Sequence, residues 1–241
     1  MSEDMLPILK TTSDKINDKV IVCGDPGRVD KISKYIDDVD EIAYNREYKL
    51  INGIYNNQKI SVVSHGVGAA GAAVCFEEII KGGAKEIIRV GTAGSLDLSI
   101  KDGDMVIAEA AIREDGLTEQ LIKKEYPAVA DMSLTGNLII SANEITDNQV
   151  RSGIILTVGA FYPELEPLPN NYYSQAGAIA VEMEVSVLFL IASLHGVAAG
   201  GIFAIDGIAI DFDANSYNPH REKVDEAIEN SIKIALEAIT L

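Results

Sequence analysis

The sequence predicts an α/β protein in which residues 1–241 form one domain. We expect three layers, α/β/α, with a central mixed, mostly parallel sheet. The length of 241 residues suits one large α/β domain. Apolar runs of strand length alternate with helical segments, as in a sheet covered by helices on both faces. Several of these runs are apolar at every position, which indicates strands buried on both sides.

Six apolar runs predict the strands. They are bounded by charged, polar or glycine residues, and several are rich in the β-branched residues that favour strands. The predicted strands cover residues 20–23, 60–64, 86–90, 105–108, 154–158 and 201–205.

Three segments predict helices. Residues 69–81 form a small-residue helix that ends at Gly82 and Gly83, and residues 185–195 form a buried helix that ends at Gly196. The last segment repeats apolar residues at steps of three and four, which predicts an amphipathic helix over residues 224–239. Residues 113–143 are more polar and irregular, so we expect an insertion or a mobile surface element there.

The charge balance limits the classes of partner. The chain has 37 acidic and 20 basic residues, a net charge of −17, which argues against nucleic acid polymers and acidic membrane surfaces. An anionic substrate must therefore be bound by a few well-placed arginines. Neither a signal peptide nor an apolar run of membrane-spanning length is evident, so we expect a cytoplasmic protein. Cys23 and Cys75 are predicted to be buried hydrophobes without a disulfide.

Several common chemistries find little support. Residues 66–71 match GxGxxG after a strand, but the next strand ends in Arg89 rather than in the acid of a dinucleotide site. A glycine-rich turn that approaches some other ligand is favoured. His65, His195 and His220 are widely separated, so no metal site is expected. No GxSxG nucleophile motif occurs. We therefore predict no cofactor.

Two arginines lie at predicted strand ends next to glycines. Arg28 closes the segment GDPGR at residues 24–28, and Arg89 begins the segment RVGTAG at residues 89–94. An arginine in an apolar strand is costly unless it is paired. A salt bridge would explain either arginine alone, whereas the two together favour a phosphate site.

Carboxyl groups lie next to the ends of other predicted elements. Glu182 and Glu184 flank Met183 before an apolar helix; they can serve the helix N-terminus, or one can accept hydrogen bonds from sugar hydroxyls. Asp206 ends a strand and precedes Gly207. This pair is either a simple turn or a carboxyl at the ligand crevice, where it can act as a general acid.

Taken together, these segments resemble the hexameric, trimer-of-dimers purine nucleoside phosphorylases of the nucleoside phosphorylase superfamily, which includes the uridine phosphorylases. The resemblance covers nearly the whole chain, and the combination of segments is far more specific than any one of them. The segments occur in the family's order: GDPGR at 24–28, AYNREY at 43–48, SHGVG at 64–68, IRVGT at 88–92, VEME at 181–184, and Asp206.

The resemblance implies phosphorolysis of purine ribo- and deoxyribonucleosides such as inosine, guanosine or adenosine, giving free base and sugar 1-phosphate. Inorganic phosphate is the implied co-substrate, and the implied assembly is a homohexamer in which Arg46 enters a neighbouring subunit's site. Asp206 would be the general acid at purine N7. The implied phosphate residues are Gly24, Arg28, Arg46, Arg89 and Thr92. The implied nucleoside residues are Val67, Phe161, Val181, Glu182, Met183 and Glu184.

Alternatives remain open within and outside this family. Uridine phosphorylases share Thr92, but Leu165 and Pro167 replace the glutamine and arginine with which those enzymes read pyrimidines, so a purine is favoured. Ile8 replaces the histidine that binds the ribose 5′-hydroxyl, and a more apolar pocket would admit 5′-methylthioadenosine. Arg221 is the nearest candidate for an arginine that assists Asp206. A nucleoside-binding module without turnover is the alternative from another class.

Overall fold

A computed structural model of the chain describes residues 4–162, 164–210 and 221–241. The strands are β1 (Met5–Leu6), β2 (Thr11–Thr12), β3 (Lys19–Cys23), β4 (Asp37–Asn45), β5 (Tyr48–Tyr55), β6 (Gln58–Ser64), β7 (Glu86–Ser95), β8 (Met105–Glu114), β9 (Ala128–Val129), β10 (Val150–Val158), β11 (Ala180–Glu182) and β12 (Ala198–Ile208). The helices are α1 (Pro26–Ile32), α2 (Ala69–Lys81), α3 (Thr118–Leu121), α4 (Met132–Ile145), α5 (Asn170–Gln175), α6 (Val185–His195) and α7 (Glu222–Thr240).

Ten of the strands form one mixed sheet. Its centre runs β6-β3-β7-β12 with all neighbours parallel, and antiparallel pairs flank it. Strand β8 pairs with β12 and β10, and the short β11 joins β10 back to β7. One end of the sheet therefore closes into a ring of five strands, β7-β12-β8-β10-β11.

Helices cover both faces of the sheet. One core contains buried residues of α2 and α6, including Phe76 and Phe189, packed against the sheet. The other contains buried residues of α1, α4 and α7 on the opposite face, including Val29, Leu138 and Ile232. This arrangement confirms the predicted three-layer α/β/α fold class.

The predicted elements are present, and most strands are longer than predicted. Helices α2 and α6 have the predicted bounds, and α7 extends the predicted helix at both ends. Cys23 and Cys75 are buried and free, as predicted, and burial raises the pKa of the Cys23 thiol to about 12. Among the helices of the described residues, none has the length and apolarity needed to cross a membrane.

The prediction for residues 113–143 was wrong. This segment contains the end of β8, then α3, β9 and most of α4. The buried Arg113 holds it together, since its guanidinium donates to the backbone carbonyls of Ile122, Lys123, Lys124 and Tyr126 and to Thr118. The Arg113 guanidinium thus satisfies backbone carbonyls of this segment, which contains regular elements in spite of its polarity.

Candidate active site

A cavity of about 630 Å³ lies where the central parallel strands end. This is the edge of an open α/β sheet at which ligands characteristically bind. Eleven of the twelve site residues expected from the sequence line it: Gly24, Val67, Arg28, Arg89, Thr92, Phe161, Val181, Glu182, Met183, Glu184 and Asp206.

Arg46 is the exception. It is exposed in the turn between β4 and β5, with a φ of 58°, and does not line the cavity of its own chain. Its neighbour Glu47 does line the cavity. The NREY segment therefore places Glu47 in the site and exposes the preceding residue, Arg46, to solvent.

Arg89 is the centre of a buried polar network. Its Nε and Nη2 donate to Glu182 Oε2 at 3.3 and 3.2 Å, Nη2 also donates to Glu184 Oε2, and Nη1 donates to His65 Nε2 at 2.7 Å. These bonds use four of the five guanidinium N–H groups. Within the described part of the chain the fifth, on Nη1, has no protein acceptor. Arg89 is therefore salt-bridged and still has one donor to offer a ligand.

Gly91 gives the guanidinium of Arg89 its space. It lies two residues after Arg89 on β7. A Cβ on Gly91 would lie 2.6 Å from the ring of Phe203 and 3.3 Å from Nη2 of Arg89. The Phe203 ring in turn lies 5.4 Å from the guanidinium carbon of Arg89, within cation–π range. The sequence RVG thus combines a strand arginine with the small residue its side chain requires.

His65 is fully buried and held as a neutral imidazole. Arginine only donates, so Nε2 of His65 must be the acceptor of the bond from Arg89. Nδ1 then carries the proton and donates to the Gly66 carbonyl at 2.8 Å. Burial and the nearby charge of Arg89 hold the pKa of His65 well below its ordinary 6.5.

Glu182 is saturated with protein donors. Its Oε1 accepts from Thr157 Oγ1 at 2.7 Å and from Val185 N at 2.9 Å, while Oε2 accepts from Glu184 N at 2.8 Å and from Arg89. The backbone donors belong to the first turn of α6, so Glu182 joins the helix N-terminus to Arg89. Glu182 lines the cavity, but little of its acceptor capacity is left for a ligand.

Glu184 has fewer protein partners. Oε1 accepts from Gly68 N at 2.5 Å and Oε2 from Arg89. Gly68 lies at a φ of 95°, a conformation that L-residues avoid, and this geometry lets its N–H reach the carboxylate. Burial raises the pKa of Glu184; Arg89 acts in the opposite direction, and the charge of Glu182 raises it further. Each carboxylate oxygen of Glu184 retains acceptor capacity.

Arg28 lies on α1, which follows β3 directly. The Asp25 carboxylate caps this helix by accepting from Gly27 N at 2.8 Å. Arg28 Nη1 donates to the Val90 carbonyl at 3.1 Å, which brings the guanidinium beside β7. No carboxylate within 4.0 Å pairs with Arg28 in the described ranges, and burial lowers the pKa of its guanidinium below the ordinary value. Arginine nevertheless stays protonated at neutral pH.

Asp206 occupies a β-bulge. The register between β12 and β7 shifts at this residue, so that Ile205 pairs with Ala93 and Gly207 with Gly94. Asp206 is the extra residue and is buried in the cavity wall. Bulges frequently re-aim a side chain next to an active site. The Asp-Gly pair is therefore part of a strand, not a simple turn.

Arg221 lies elsewhere. It precedes α7 and its guanidinium forms an ion pair with Asp102, and it is not among the residues that line the cavity. His195 pairs with Glu77 near the surface. His220 and the loop 211–220 lie outside the described residues. No group of three or more potential metal ligands occurs in the described ranges.

Sequence reasoning missed several residues of the site. Asp25, Glu47, Leu168 and Asn170 also line the cavity. Asp25 lies within the GDPGR segment and Glu47 within the AYNREY segment, so position within these segments was the available signal. Asn170 belongs to the short α5, which no periodicity marks; its Nδ2 donates to the Ala209 carbonyl at 2.7 Å.

Comparisons with known proteins identify similar sequences and structures. The chain is 44% identical to a purine nucleoside phosphorylase of Plasmodium falciparum (isolate 3D7) over 239 residues, covering 98% of this chain and 96% of the relative. A crystal structure of purine nucleoside phosphorylase from Toxoplasma gondii in complex with immucillin-H superposes with a TM-score of 0.93 at 32% identity, covering 99% of this chain and 96% of that one.

A uridine phosphorylase of Vibrio fischeri is also similar, with a TM-score of 0.90 at 28% identity and coverage of 100% of this chain and 99% of that one. The family model described as the phosphorylase superfamily matches residues 18–240. The family match and the similarity in sequence and fold lead to one conclusion: the chain belongs to the phosphorylase superfamily.

Proposed function

We propose that the protein catalyses the phosphorolysis of purine nucleosides to free purine base and ribose 1-phosphate. One observation carries the proposal: a single cavity joins Arg28 of α1 and Arg89, which lies within β7 and not at its end as expected, to a carboxyl at a β-bulge and to the partly satisfied Glu184. This combination suits a reaction in which an anion attacks one side of a sugar carbon while a base leaves the other side.

The phosphate end of the proposed site is built from Gly24, Arg28, Arg89 and Thr92. Arg28 supplies positive charge, and Arg89 supplies the Nη1 N–H that no described acceptor occupies. Thr92 is placed on β7 three residues after Arg89 and adds a hydroxyl. Inorganic phosphate is the co-substrate that family membership supports.

The sugar and base would occupy the rest of the cavity. Glu184 accepts the ribose hydroxyl hydrogens with its remaining lone pairs, and Met183 packs against the sugar. Val67, Phe161 and Val181 offer apolar surface to the base. Leu165 is fully exposed, and neither Leu165 nor Pro167 lines the cavity, so nothing at these two positions reads a pyrimidine.

In the proposed step, a phosphate oxygen forms a bond to C1′ as the C1′–N9 bond breaks. The electron pair of that bond moves into the purine ring, and N7 receives a proton from Asp206. Asp206 becomes a carboxylate and the base leaves neutral. Arg28 and Arg89 hold the phosphate in line, and the carboxylate of Glu184 stabilises the electron-poor sugar.

Turnover with and without phosphate tests the function. Release of base from inosine, guanosine, adenosine, 5′-methylthioadenosine and uridine should require phosphate and be fastest with a purine nucleoside. Arg28→Met should raise the KM for phosphate by about 10- to 100-fold, the value of a lost charged hydrogen bond, while Arg151→Met, at an exposed arginine outside the cavity, leaves it unchanged. Equal rates without phosphate would indicate a nucleosidase, and binding without product a non-catalytic module.

We further propose a homo-oligomer, with a hexamer as the expected assembly, in which Arg46 completes the phosphate site of a neighbouring subunit. Its exposure and its distance from its own cavity support this role. Mixing inactive Arg46→Ala with inactive Asp206→Asn subunits should restore about a quarter of the wild-type sites, since half the random pairs hold one intact site of two. Activity no greater than the sum of the two variants, or a monomer by light scattering, would overturn this arrangement.

A further inference from the structure

We propose that His65 is a positioning residue for phosphate binding: it fixes the guanidinium of Arg89 so that one Nη1 N–H remains directed to the anion. The proposal rests on the proposed function above. His65 is fully buried and is not among the residues that line the cavity, so it would act through Arg89 and not by touching substrate.

The geometry makes His65 the only described acceptor on Nη1 of Arg89. Glu182 and Glu184 bind the Nε and Nη2 side of the guanidinium, while His65 Nε2 accepts from Nη1 at 2.7 Å. A planar guanidinium held on one edge can still tilt about that edge. The bond to His65 on the other side removes this freedom and leaves a single Nη1 hydrogen for a ligand.

The imidazole is itself held in place. Its Nδ1 donates to Gly66 O at 2.8 Å, and its ring packs edge-on against Phe76 with centroids 5.2 Å apart. The Gly66 bond fixes the tautomer, which makes Nε2 an acceptor; the opposite tautomer would set an N–H against an arginine N–H.

These bonds close into a ring that spans both halves of the proposed site. From Gly66 O the ring passes through His65 and Arg89 to Glu184, and from Glu184 to Gly68 N, two residues along the chain from Gly66. The His65 side chain thus helps to position both Arg89, which is proposed to bind phosphate, and Glu184, which is proposed to bind ribose. A histidine that only filled the core would need no acceptor at this position.

Two substitutions separate the acceptor from the bulk of the side chain. His65→Gln keeps an oxygen able to accept from Arg89, whereas His65→Met keeps similar bulk without a comparable acceptor. His195→Met is the matched control, because His195 is half exposed and pairs only with Glu77 among the described residues. For each protein we would measure the phosphate Kd by calorimetry, the KM for phosphate and for nucleoside, and the melting temperature.

We expect His65→Met to raise the phosphate Kd by about tenfold or more, as for loss of a hydrogen bond to a charged group. His65→Gln should stay within about threefold of wild type on the same argument, and His195→Met should not differ from wild type. The KM for nucleoside should change less than the KM for phosphate. A folded His65→Met with wild-type phosphate affinity would overturn the proposal, as would a His65→Gln variant as impaired as His65→Met.

A measurement on the wild type covers the case in which His65→Met does not fold. ¹⁵N spectra of the histidine-labelled protein should show a neutral His65 with the proton on Nδ1 and an Nε2 resonance that shifts on addition of phosphate. A proton on Nε2, or no shift, would overturn the proposal. If the protein binds phosphate without phosphorolysis, the proposed function fails, but the phosphate Kd of the His65 variants still tests the role of His65. If the protein binds no phosphate, the proposed function and the proposed role of His65 both fail.

Discussion

Replacing Glu182 with glutamine should weaken the protein more than its single lost charge suggests. The side chain is buried and its oxygens accept from Thr157, from the backbone of Glu184 and Val185, and from Arg89. A glutamine must set its NH₂ against at least one of these donors. The least costly orientation places it at the Oε1 position, where the Thr157 hydroxyl can turn to accept but the Val185 N–H keeps only its bond to Oε2. The substitution still removes the charge opposite Arg89.

The magnitude follows from these contacts. Removing one partner of a buried ion pair costs about 3–5 kcal/mol, and we expect the lower end because Glu184 still pairs with Arg89. For a chain of this size about 1 kcal/mol corresponds to about 2–4 °C, so Glu182→Gln should melt about 6–12 °C below wild type.

Calorimetry at a fixed protein concentration provides the test. Glu86→Gln is the control, because Glu86 pairs with Lys19 at 3.2 Å with its side chain 36% exposed, and such pairs contribute about 1 kcal/mol or less. If the two variants melt at the same temperature, Glu182 is not the anchor of this network and the reasoning about Arg89 fails with it.

Three further perturbations have defined outcomes. Asp206→Asn should lower kcat by about 10²- to 10⁴-fold in initial-rate measurements; a variant with the wild-type kcat would show that Asp206 is not the general acid. Gly91→Ala should cost about 1–3 kcal/mol in denaturant unfolding because its Cβ meets Phe203, while Gly136→Ala, with open space around it in α4, should be neutral or stabilising. Because the pKa of His65 is held well below 6.5, the unfolded chain binds its proton first as pH falls. The free energy of unfolding should then decline below pH 6.5, and His65→Gln should flatten that decline by up to about 1.4 kcal/mol per pH unit.

The sequence predicted best those elements whose ends are marked by glycine. Helix α2 ends at Gly82, and α6 ends at Gly196 in the left-handed conformation that glycine favours. Helix α4 escaped prediction because Ile139 and Ile140 are exposed and Gly136 interrupts it, so no clean apolar face repeats. The start of α4 is nevertheless marked in the sequence by Asp131, whose carboxylate caps the helix by accepting from the backbone N–H groups of Ser133 and Leu134.

Tertiary pairing accounts for what the sequence could not provide. Strand β11 has three residues, too few for a periodic signal, and exists because β7 and β10 pair with it on either side. For Arg89 the sequence offered a salt bridge and a ligand site as alternatives. In the fold these are compatible: two carboxylates occupy one side of the guanidinium, and an N–H remains on the other.

Arg28 and Arg89 cannot contribute equally to holding a phosphate. Among the described residues, the cavity wall contains two arginines and five carboxyl groups, and the charge of Arg89 is already matched by Glu182 and Glu184. In the proposed site, Arg89 would therefore orient the phosphate through its remaining N–H, and Arg28 would supply the positive charge that attracts the phosphate. Phosphate carries about 1.5 to 2 negative charges near neutral pH, so one such cation leaves the proposed site short of charge. The proposed entry of an exposed Arg46 from a neighbouring subunit, and the proton that the proposed reaction requires on Asp206, would both reduce that deficit, so the charge balance favours the proposed oligomer.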